Sequence, residues 1–291
     1  MRRGYIIKNK LFKVLVYTVA VFLSLWLLLP LYWTLTTSFS KFADIKMASI
    51  FPLAPTLENY ASVLLGIPTS EAASITAGAR TETIVPAMLS SLVVGLGVIG
   101  LTLLFATTAA YSFARLRFRG KSLSFIAVFV PRLIPVVVIA LPFFILFYPM
   151  GLSNSHLGLI LVDTILVLPL SVWILRDFFD GIPVDLEEAA MVDGANRFQA
   201  FYKIALPLLK PGLIAVATFA FMTSWGELFF AMILTDKLTL PPYLLGFRSM
   251  ENIQFAEMAA GAFLSALPPL ILAFIFQKYL TRGWVVGAVK R

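Results

Sequence analysis

The sequence predicts an all-α integral membrane protein, a single domain over residues 1–291 that crosses the bilayer six times. Of its 291 residues, 60% are hydrophobic and 13% are charged, and the mean hydropathy is +0.92. Soluble globular proteins have roughly 45–50% apolar and about 25% charged residues, so the composition excludes that class. A bilayer core of about 30 Å requires about 20 apolar residues in helical conformation. Six runs approach this length, at residues 14–36, 86–114, 123–147, 157–175, 212–234 and 259–280.

The first apolar run follows a basic leader, which a secretory signal peptide would also have. Its apolar stretch is longer than the roughly 7–15 residues of a signal peptide's hydrophobic region, and no small-residue cleavage site follows it closely. We therefore interpret residues 14–36 as a membrane anchor that is also the first span.

Prolines interrupt two of the predicted spans. The third run contains Pro131, Pro135 and Pro142, and the sixth contains Pro268 and Pro269. Proline removes a backbone hydrogen bond from a helix, which a membrane protein tolerates where neighbouring groups satisfy the freed carbonyl. We expect both spans to be broken at these residues.

The lysines and arginines between the spans predict the orientation. With the N-terminus in the cytoplasm, the inner segments carry seventeen basic residues and the outer segments carry five. This excess predicts that both termini are cytoplasmic. It also accounts for the formal net charge of +8 without a nucleic-acid partner.

Two connections between the predicted spans are unusually long. The outer one covers about residues 37–85 and the inner one about residues 176–211. Connections of this length are uncommon without a function or a structure of their own. We expect the outer connection to form a cap or docking surface, and the inner one to carry the functional motif. A short cytoplasmic tail is expected after the last span, over about residues 281–291.

The inner connection predicts two short helices joined by a tight turn. Asp185 is a plausible N-cap of the first helix, over 185–193, with Glu188 at capping-box spacing. Gly194 lies where a helix end favours a left-handed residue.

The second predicted helix covers residues 196–206 and stops at Pro207. Its apolar residues Phe198, Phe201 and Ala205 are expected along one face. The two helices would form an elbow beneath the membrane, a shape suited to receive force from another subunit.

This elbow resembles the EAA loop of permease subunits of binding-protein-dependent ABC importers. The positions that carry the resemblance are Glu188, Ala189, Ala190, Asp193, Gly194, Ala195, Phe201, Ile204, Leu206 and Pro207. Three further segments, Pro55–Tyr60, Ala109–Arg115 and Gly287–Lys290, are similar to carbohydrate-importer permeases of the maltose-transport type, and in particular to the shorter, MalG-like subunit. The chain departs from that pattern at Gly226, where the family often has Asn.

The resemblance implies a type I ABC importer permease fold in the inner membrane of a prokaryote. Its partners would be a second transmembrane permease, two P-loop ATPase subunits and an extracytoplasmic sugar-binding protein. The ten motif residues would form the cytoplasmic coupling helices that dock on the ATPase. ATP and Mg²⁺ would be bound by that ATPase, so this chain would be a non-catalytic translocation subunit without a cofactor of its own. The cargo would be an oligosaccharide, or a polyol or glycerol derivative.

Three ionisable residues lie within the predicted spans. Arg132, Asp163 and Glu227 each carry a cost of about 2.5–3.5 kcal/mol at a membrane centre, so such residues usually face the bundle interior or a cavity. We hypothesise that Arg132 pairs with one of the two carboxylates along the translocation path. The alternative is an ion pair that fixes helix packing.

The outer segment between the last two spans contains a second candidate interaction site. By resemblance, Pro241, Pro242, Tyr243 and Gly246 would contact the external binding protein. The alternative is an interfacial or re-entrant hairpin.

Two other function classes remain as alternatives. Cysteine is absent and His156 is the single histidine, which excludes thiol chemistry and disfavours a histidine-rich metal site or a catalytic constellation. An ABC permease for a non-sugar solute would share the EAA loop. An ion-coupled secondary transporter would leave that loop unexplained.

Overall fold

The structure is a computed structural model that describes residues 2–41, 51–52, 54–69, 82–237, 239–248 and 254–288. Within these ranges the regular secondary structure is helical and no strand occurs, which confirms the all-α prediction. The longer helices are α1 (Arg2–Ser38), α2 (Glu58–Leu65), α3 (Ile84–Arg115), α4 (Lys121–Phe129), α5 (Val136–Phe147), α6 (His156–Asp180), α7 (Asp185–Val192), α10 (Lys210–Trp225) and α13 (Phe255–Ala288). The shorter ones are α8 (Arg197–Ala200), α9 (Leu206–Leu208), α11 (Phe229–Leu234) and α12 (Leu240–Leu245).

Four helical segments are long and apolar enough to cross a membrane. They are Phe12–Ser38, Ile84–Arg115, His156–Asp180 and Phe255–Gln277. Two bent pairs pass the same test, Lys121–Leu133 with Val136–Phe147 at 95°, and Arg197–Leu208 with Lys210–Trp225 at 72°. When each bent pair is taken as one span, the number reaches the predicted six. The second pair, however, includes Arg197–Leu208, which precedes the predicted fifth span at residues 212–234.

The prolines break one span and leave another continuous. The third span is interrupted between Phe129 and Val136, around Pro131 and Pro135. Pro142, however, lies inside α5. Helix α13 runs through Pro268 and Pro269, so the predicted break in the sixth span was wrong. A proline inside a long helix removes one backbone hydrogen bond, and the remaining bonds hold the helix together.

The fifth span contains a break that the sequence analysis missed. Helix α10 ends at Trp225 and α11 begins at Phe229. The three residues between them include Gly226, whose N–H still bonds to the carbonyl of Met222 at 3.3 Å. Glycine weakens a helix interior by about 1 kcal/mol relative to alanine, which is too little to predict a break from sequence.

The chain packs as two compact units, residues 1–83 with 244–265, and residues 84–243 with 266–291. In the first unit, helix α2 of the outer connection is fastened to the end of α1. The Asn59 amide donates to the carbonyls of Ser38 and Ser40, each at 3.0 Å. The Tyr60 and Ser38 hydroxyls lie 2.7 Å apart. Predicted outer-loop residues 42–50, 53 and 70–81 lie outside the described residues.

In the second unit, α3, α6 and α10 pack closely against one another through small residues. An alanine Cβ at Gly97 would lie 2.5 Å from the Ile160 side chain, and one at Gly212 would lie 2.8 Å from the Phe178 ring. Such small residues let membrane helices approach at short distance. One apolar cluster surrounds Val98, and a second surrounds Leu209 beside the elbow.

The Gly158→Ala variant tests the packing at the start of α6. A Cβ at this position would lie 2.2 Å from the carbonyl oxygen of Leu152, a rigid backbone group. We expect a loss of about 1–3 kcal/mol of stability, measured as a lower Tm of the purified protein in detergent. Gly100→Ala is the matched control because nothing lies within 4 Å of its Cβ position. Equal Tm values for the two variants would contradict this packing.

Candidate functional site

The segment between α6 and α10 folds as the predicted elbow. Helix α7 covers Asp185–Val192, and a second helical stretch runs from Arg197 to Leu208 with a π-helical turn at Phe201–Ala205. Gly194 joins them in the left-handed conformation, with φ +94°. The N–H of Gly194 donates to Met191 at 3.1 Å and that of Ala195 to Ala190 at 2.9 Å, a Schellman arrangement that closes α7.

The helix ends of the elbow differ from the prediction. The N-cap of α7 is Val184, which is already helical, so Asp185 lies in the first turn and makes no capping box with Glu188. The capping box occurs at the second helix instead. There the N–H of Gln199 donates to the Asn196 side chain at 2.8 Å, and the N–H of Asn196 donates to the Gln199 side chain at 2.9 Å.

Pro207 does not end the second helix, because helix α9 continues to Leu208. Proline lacks a backbone N–H, so its insertion near the end of the stretch removes one hydrogen bond and leaves the others in place. The bend to α10 follows at Leu209, which is fully buried.

A buried carboxylate fastens the elbow to the end of α3. Glu187 is 3% exposed, and its Oε1 accepts a hydrogen bond from Arg115 Nε at 2.7 Å. Its Oε2 accepts a hydrogen bond from the Tyr111 hydroxyl at 2.8 Å. Arg115 Nη2 also donates to the carbonyl of Ile182 at 2.8 Å. The carboxylate therefore has a charged and a neutral donor, which satisfies a buried charge.

Aromatic rings enclose this ion pair. The Tyr111 ring packs edge-on against Phe201 at 4.7 Å and against Phe179 at 5.5 Å between centroids. Both side chains of the ion pair are nearly inaccessible, at 6% for Arg115 and 4% for Glu187. Glu187 was not predicted, because the motif pattern in the sequence points to the neighbouring Glu188. The spacing of Tyr111 and Arg115, four residues apart at the inner end of a span, is the signal that could have indicated it.

The ten motif residues divide between two faces of the elbow. Five of them are half-buried: Ala190, Ala195, Phe201, Ile204 and Leu206. The other five are exposed: Glu188, Ala189, Asp193, Gly194 and Pro207. The apolar side chains of the elbow with the greatest exposed fractions lie on either side of the turn. They are Val192, which is 86% exposed, and Phe198, which is 74% exposed. The Phe198 and Phe201 rings lie 6.5 Å apart, but Phe198 is exposed whereas Ala205 is fully buried.

Two carboxylates lie near the break in the fifth span. Asp163 is 2% exposed, and its Oδ2 accepts a hydrogen bond from the Ser224 hydroxyl at 2.6 Å. Its Oδ1 has no hydrogen-bond partner among the described residues. Glu227 accepts the backbone N–H groups of Phe230 at 2.8 Å and Ala231 at 2.9 Å, and so caps the start of α11.

Arg132 does not pair with either carboxylate, so that hypothesis was wrong. It lies on the 3₁₀ turn Val130–Leu133 between α4 and α5, where its side chain is exposed. The proline break turns the chain by 95° at this point. Within the described ranges Arg132 forms no ion pair, and Glu227 is satisfied by backbone N–H groups.

The outer segment forms the short helix α12. The N–H of Leu240 donates to the Ser91 hydroxyl at 2.8 Å. Tyr243 is 1% exposed and packs inside, which does not fit the predicted contact with a docked protein. Pro241 and Pro242 are half-buried and Gly246 is exposed, so for these residues docking stays a prediction.

Comparison with known proteins identifies the family. A model described as binding-protein-dependent transport system inner membrane component matches residues 99–286, which include the elbow. The trehalose transport system permease protein SugB of Mycobacterium tuberculosis is 32% identical over 268 residues, 90% of this chain and 92% of that one. The diacetylchitobiose uptake system permease protein DasC of Streptomyces coelicolor is 30% identical over 276 residues, 93% of this chain and 95% of that one.

A solved structure has the same fold. It belongs to a bacterial ABC transporter involved in the import of the acidic polysaccharide alginate, and the similar chain has a TM-score of 0.73 at 21% identity. The alignment covers 94% of this chain and 97% of that one. The fold is thus that of a type I ABC importer permease, as the resemblance implies. The chain belongs to the family of inner-membrane permease components of binding-protein-dependent ABC transport systems.

Proposed function

We propose that this chain is the translocation subunit of an ATP-driven importer that passes a sugar from an external binding protein to the cytoplasm. The names of its relatives, which specify trehalose and diacetylchitobiose, support an oligosaccharide cargo. The proposed cargo class also includes a related polyol or glycerol derivative. The observation that carries the proposal is the exposed elbow fastened to α3 through Glu187.

The proposed assembly contains a second permease, two P-loop ATPase subunits and an external sugar-binding protein. The ATPase subunits bind ATP and Mg²⁺, and this chain is non-catalytic. Both termini and the elbow face the cytoplasm in this proposal, in agreement with the excess of basic residues in those segments.

The exposed side of the elbow supports the docking of an ATPase. Val192 and Phe198 offer apolar side chains that a partner groove would bury. Ala189 and Gly194, also exposed, let the partner's backbone approach closely. Movement of the docked ATPase would pass through Glu187 and Arg115 into α3, because a buried, doubly bonded ion pair resists sliding.

The two carboxylates at the broken fifth span support a role in the translocation path. Asp163 Oδ1 is an acceptor without a partner among the described residues, and sugar hydroxyls are donors. Since Asp163 is buried, it would reach cargo only after a rearrangement of the helices around it. Arg132 is left out of this proposal because it lies on an exposed turn.

The Gly194→Val variant tests the docking elbow. A β-branched residue at φ +94° costs about 1–3 kcal/mol of local strain, so the turn should rearrange. We expect at least about tenfold less co-purifying ATPase and a similar loss of sugar uptake, given about 1.4 kcal/mol per factor of ten. Gly151→Val is the matched control, with φ +65° and open space around it but far from the elbow in sequence. An equal loss in both variants would count against docking at the elbow.

The Glu187→Gln variant tests the link between elbow and span. It leaves Arg115 buried without its counter-charge, which costs about 3–5 kcal/mol, so we expect a lower Tm and reduced uptake. Asp185→Asn, an exposed acid on the same helix, should behave like wild type. The double variant Arg115→Gln, Glu187→Gln should recover part of the loss, since both charges are removed. If Glu187→Gln matched Asp185→Asn in Tm and uptake, the link would be refuted.

The Asp163→Asn variant tests whether Asp163 belongs to the translocation path. It keeps the shape of the side chain but replaces one carboxyl oxygen with an amide NH₂ group, which donates hydrogen bonds and does not accept them. We expect reduced uptake with ATPase co-purification unchanged. Arg132→Met is the control, because it removes a charged side chain of a predicted span that does not pair with Asp163 or Glu227. This variant should transport normally. Normal uptake by Asp163→Asn, measured with radiolabelled sugar in proteoliposomes, would remove Asp163 from the path.

A further inference from the structure

A cleft of about 900 Å³ opens between the α3–α4 connection and the elbow. Its walls carry four basic side chains, of which Arg115, Arg117 and Lys121 come from the α3–α4 side and Arg197 comes from the elbow. The acidic residues on its walls are Glu187 and Glu188.

The ionic groups of the cleft do not balance one another. Arg115 and Glu187 neutralise each other at 2.7 Å. Lys121 donates to the carbonyl of Leu116 at 3.2 Å, which leaves its charge uncompensated. Arg117 and Arg197 form no ion pair within the part of the chain that the structure describes. Three cations therefore face Glu188 alone, and the cleft favours an anion.

The surroundings of the cleft indicate where this anion comes from. Phe118, which also lines the cleft, is 43% exposed, and α4 continues with Leu123 at 73% and Ile126 at 61% exposed. Large apolar side chains on the surface of a spanning segment are suited to contact acyl chains. The cations thus lie at the boundary between the apolar surface of α4 and the polar elbow, the level at which lipid headgroups lie.

We propose that this cleft binds the headgroup of an anionic phospholipid, with its phosphate between Arg117 and Arg197 and its acyl chains along α4. The planar guanidinium donates two parallel hydrogen bonds to phosphate oxygens, which suits arginine to this ligand. Only the choice of leaflet depends on the orientation given under the proposed function. With that orientation, the lipid lies in the cytoplasmic leaflet. A lipid held by both walls would also connect the α3–α4 connection to the elbow.

Native mass spectrometry of the intact complex in mild detergent tests the proposal, with phosphatidylglycerol as the probe. Each cation near an anionic headgroup contributes about fivefold in affinity, so Arg117→Gln with Arg197→Gln should reduce bound lipid by about 25-fold. Arg119→Gln is the matched control, because this exposed arginine of the same connection does not line the cleft. Its binding should stay within about twofold of wild type.

Three outcomes would overturn the proposal. The first is equal retention of phosphatidylglycerol by the double variant and the Arg119→Gln control. The second is equal binding of phosphatidylcholine, which carries no net charge. The third is displacement of the lipid by millimolar inorganic phosphate, which would make the cleft a site for a soluble anion. Val192→Ser removes an exposed apolar side chain of the proposed ATPase contact without changing a residue that lines the cleft. This variant should retain the lipid, so failure of the coupling proposal and failure of this one are distinguishable.

Discussion

The buried ion pair between Arg115 and Glu187 is the interaction on which the elbow depends. Helix α7 has eight residues and few buried side chains, and so short a helix is not stable alone in water. Apolar packing holds the second half of the elbow through Ala200, Ala205 and Leu209. The first half is held chiefly by one carboxylate with two side-chain donors. Its position is therefore set by directional bonds, which tolerate little sliding.

The same solution, a carboxylate that satisfies several donors, recurs at the break in the fifth span. Glu227 accepts two backbone N–H groups that α11 would otherwise leave unsatisfied. In lipid such orphan groups are costly, so the acid makes a broken span possible. An acidic side chain in a spanning segment thus satisfies the backbone, whereas the sequence suggested a partner of opposite charge.

Sequence reasoning succeeded where one local property decides the structure. Hydropathy predicted the apolar spans, and the need for a left-handed residue predicted the turn at Gly194. It failed where tertiary contacts decide. Glu187 and Glu188 are chemically identical neighbours, and only the position of Arg115 on another helix determines which is buried. Likewise, local propensity points the wrong way at two other positions. Proline disfavours a helix interior more than glycine does, yet α13 continues through Pro268 whereas α10 ends just before Gly226.

The π-helical turn at Phe201–Ala205 has a consequence for the evolution of the elbow. A π turn is a single wider turn within an α-helix, and it accommodates one extra residue. Deleting one residue there would restore an α-helix and leave both flanks facing as before. A deletion elsewhere in the stretch would rotate everything beyond it by about 100°. The elbow can thus vary in length at this turn while its buried and exposed faces keep their orientations.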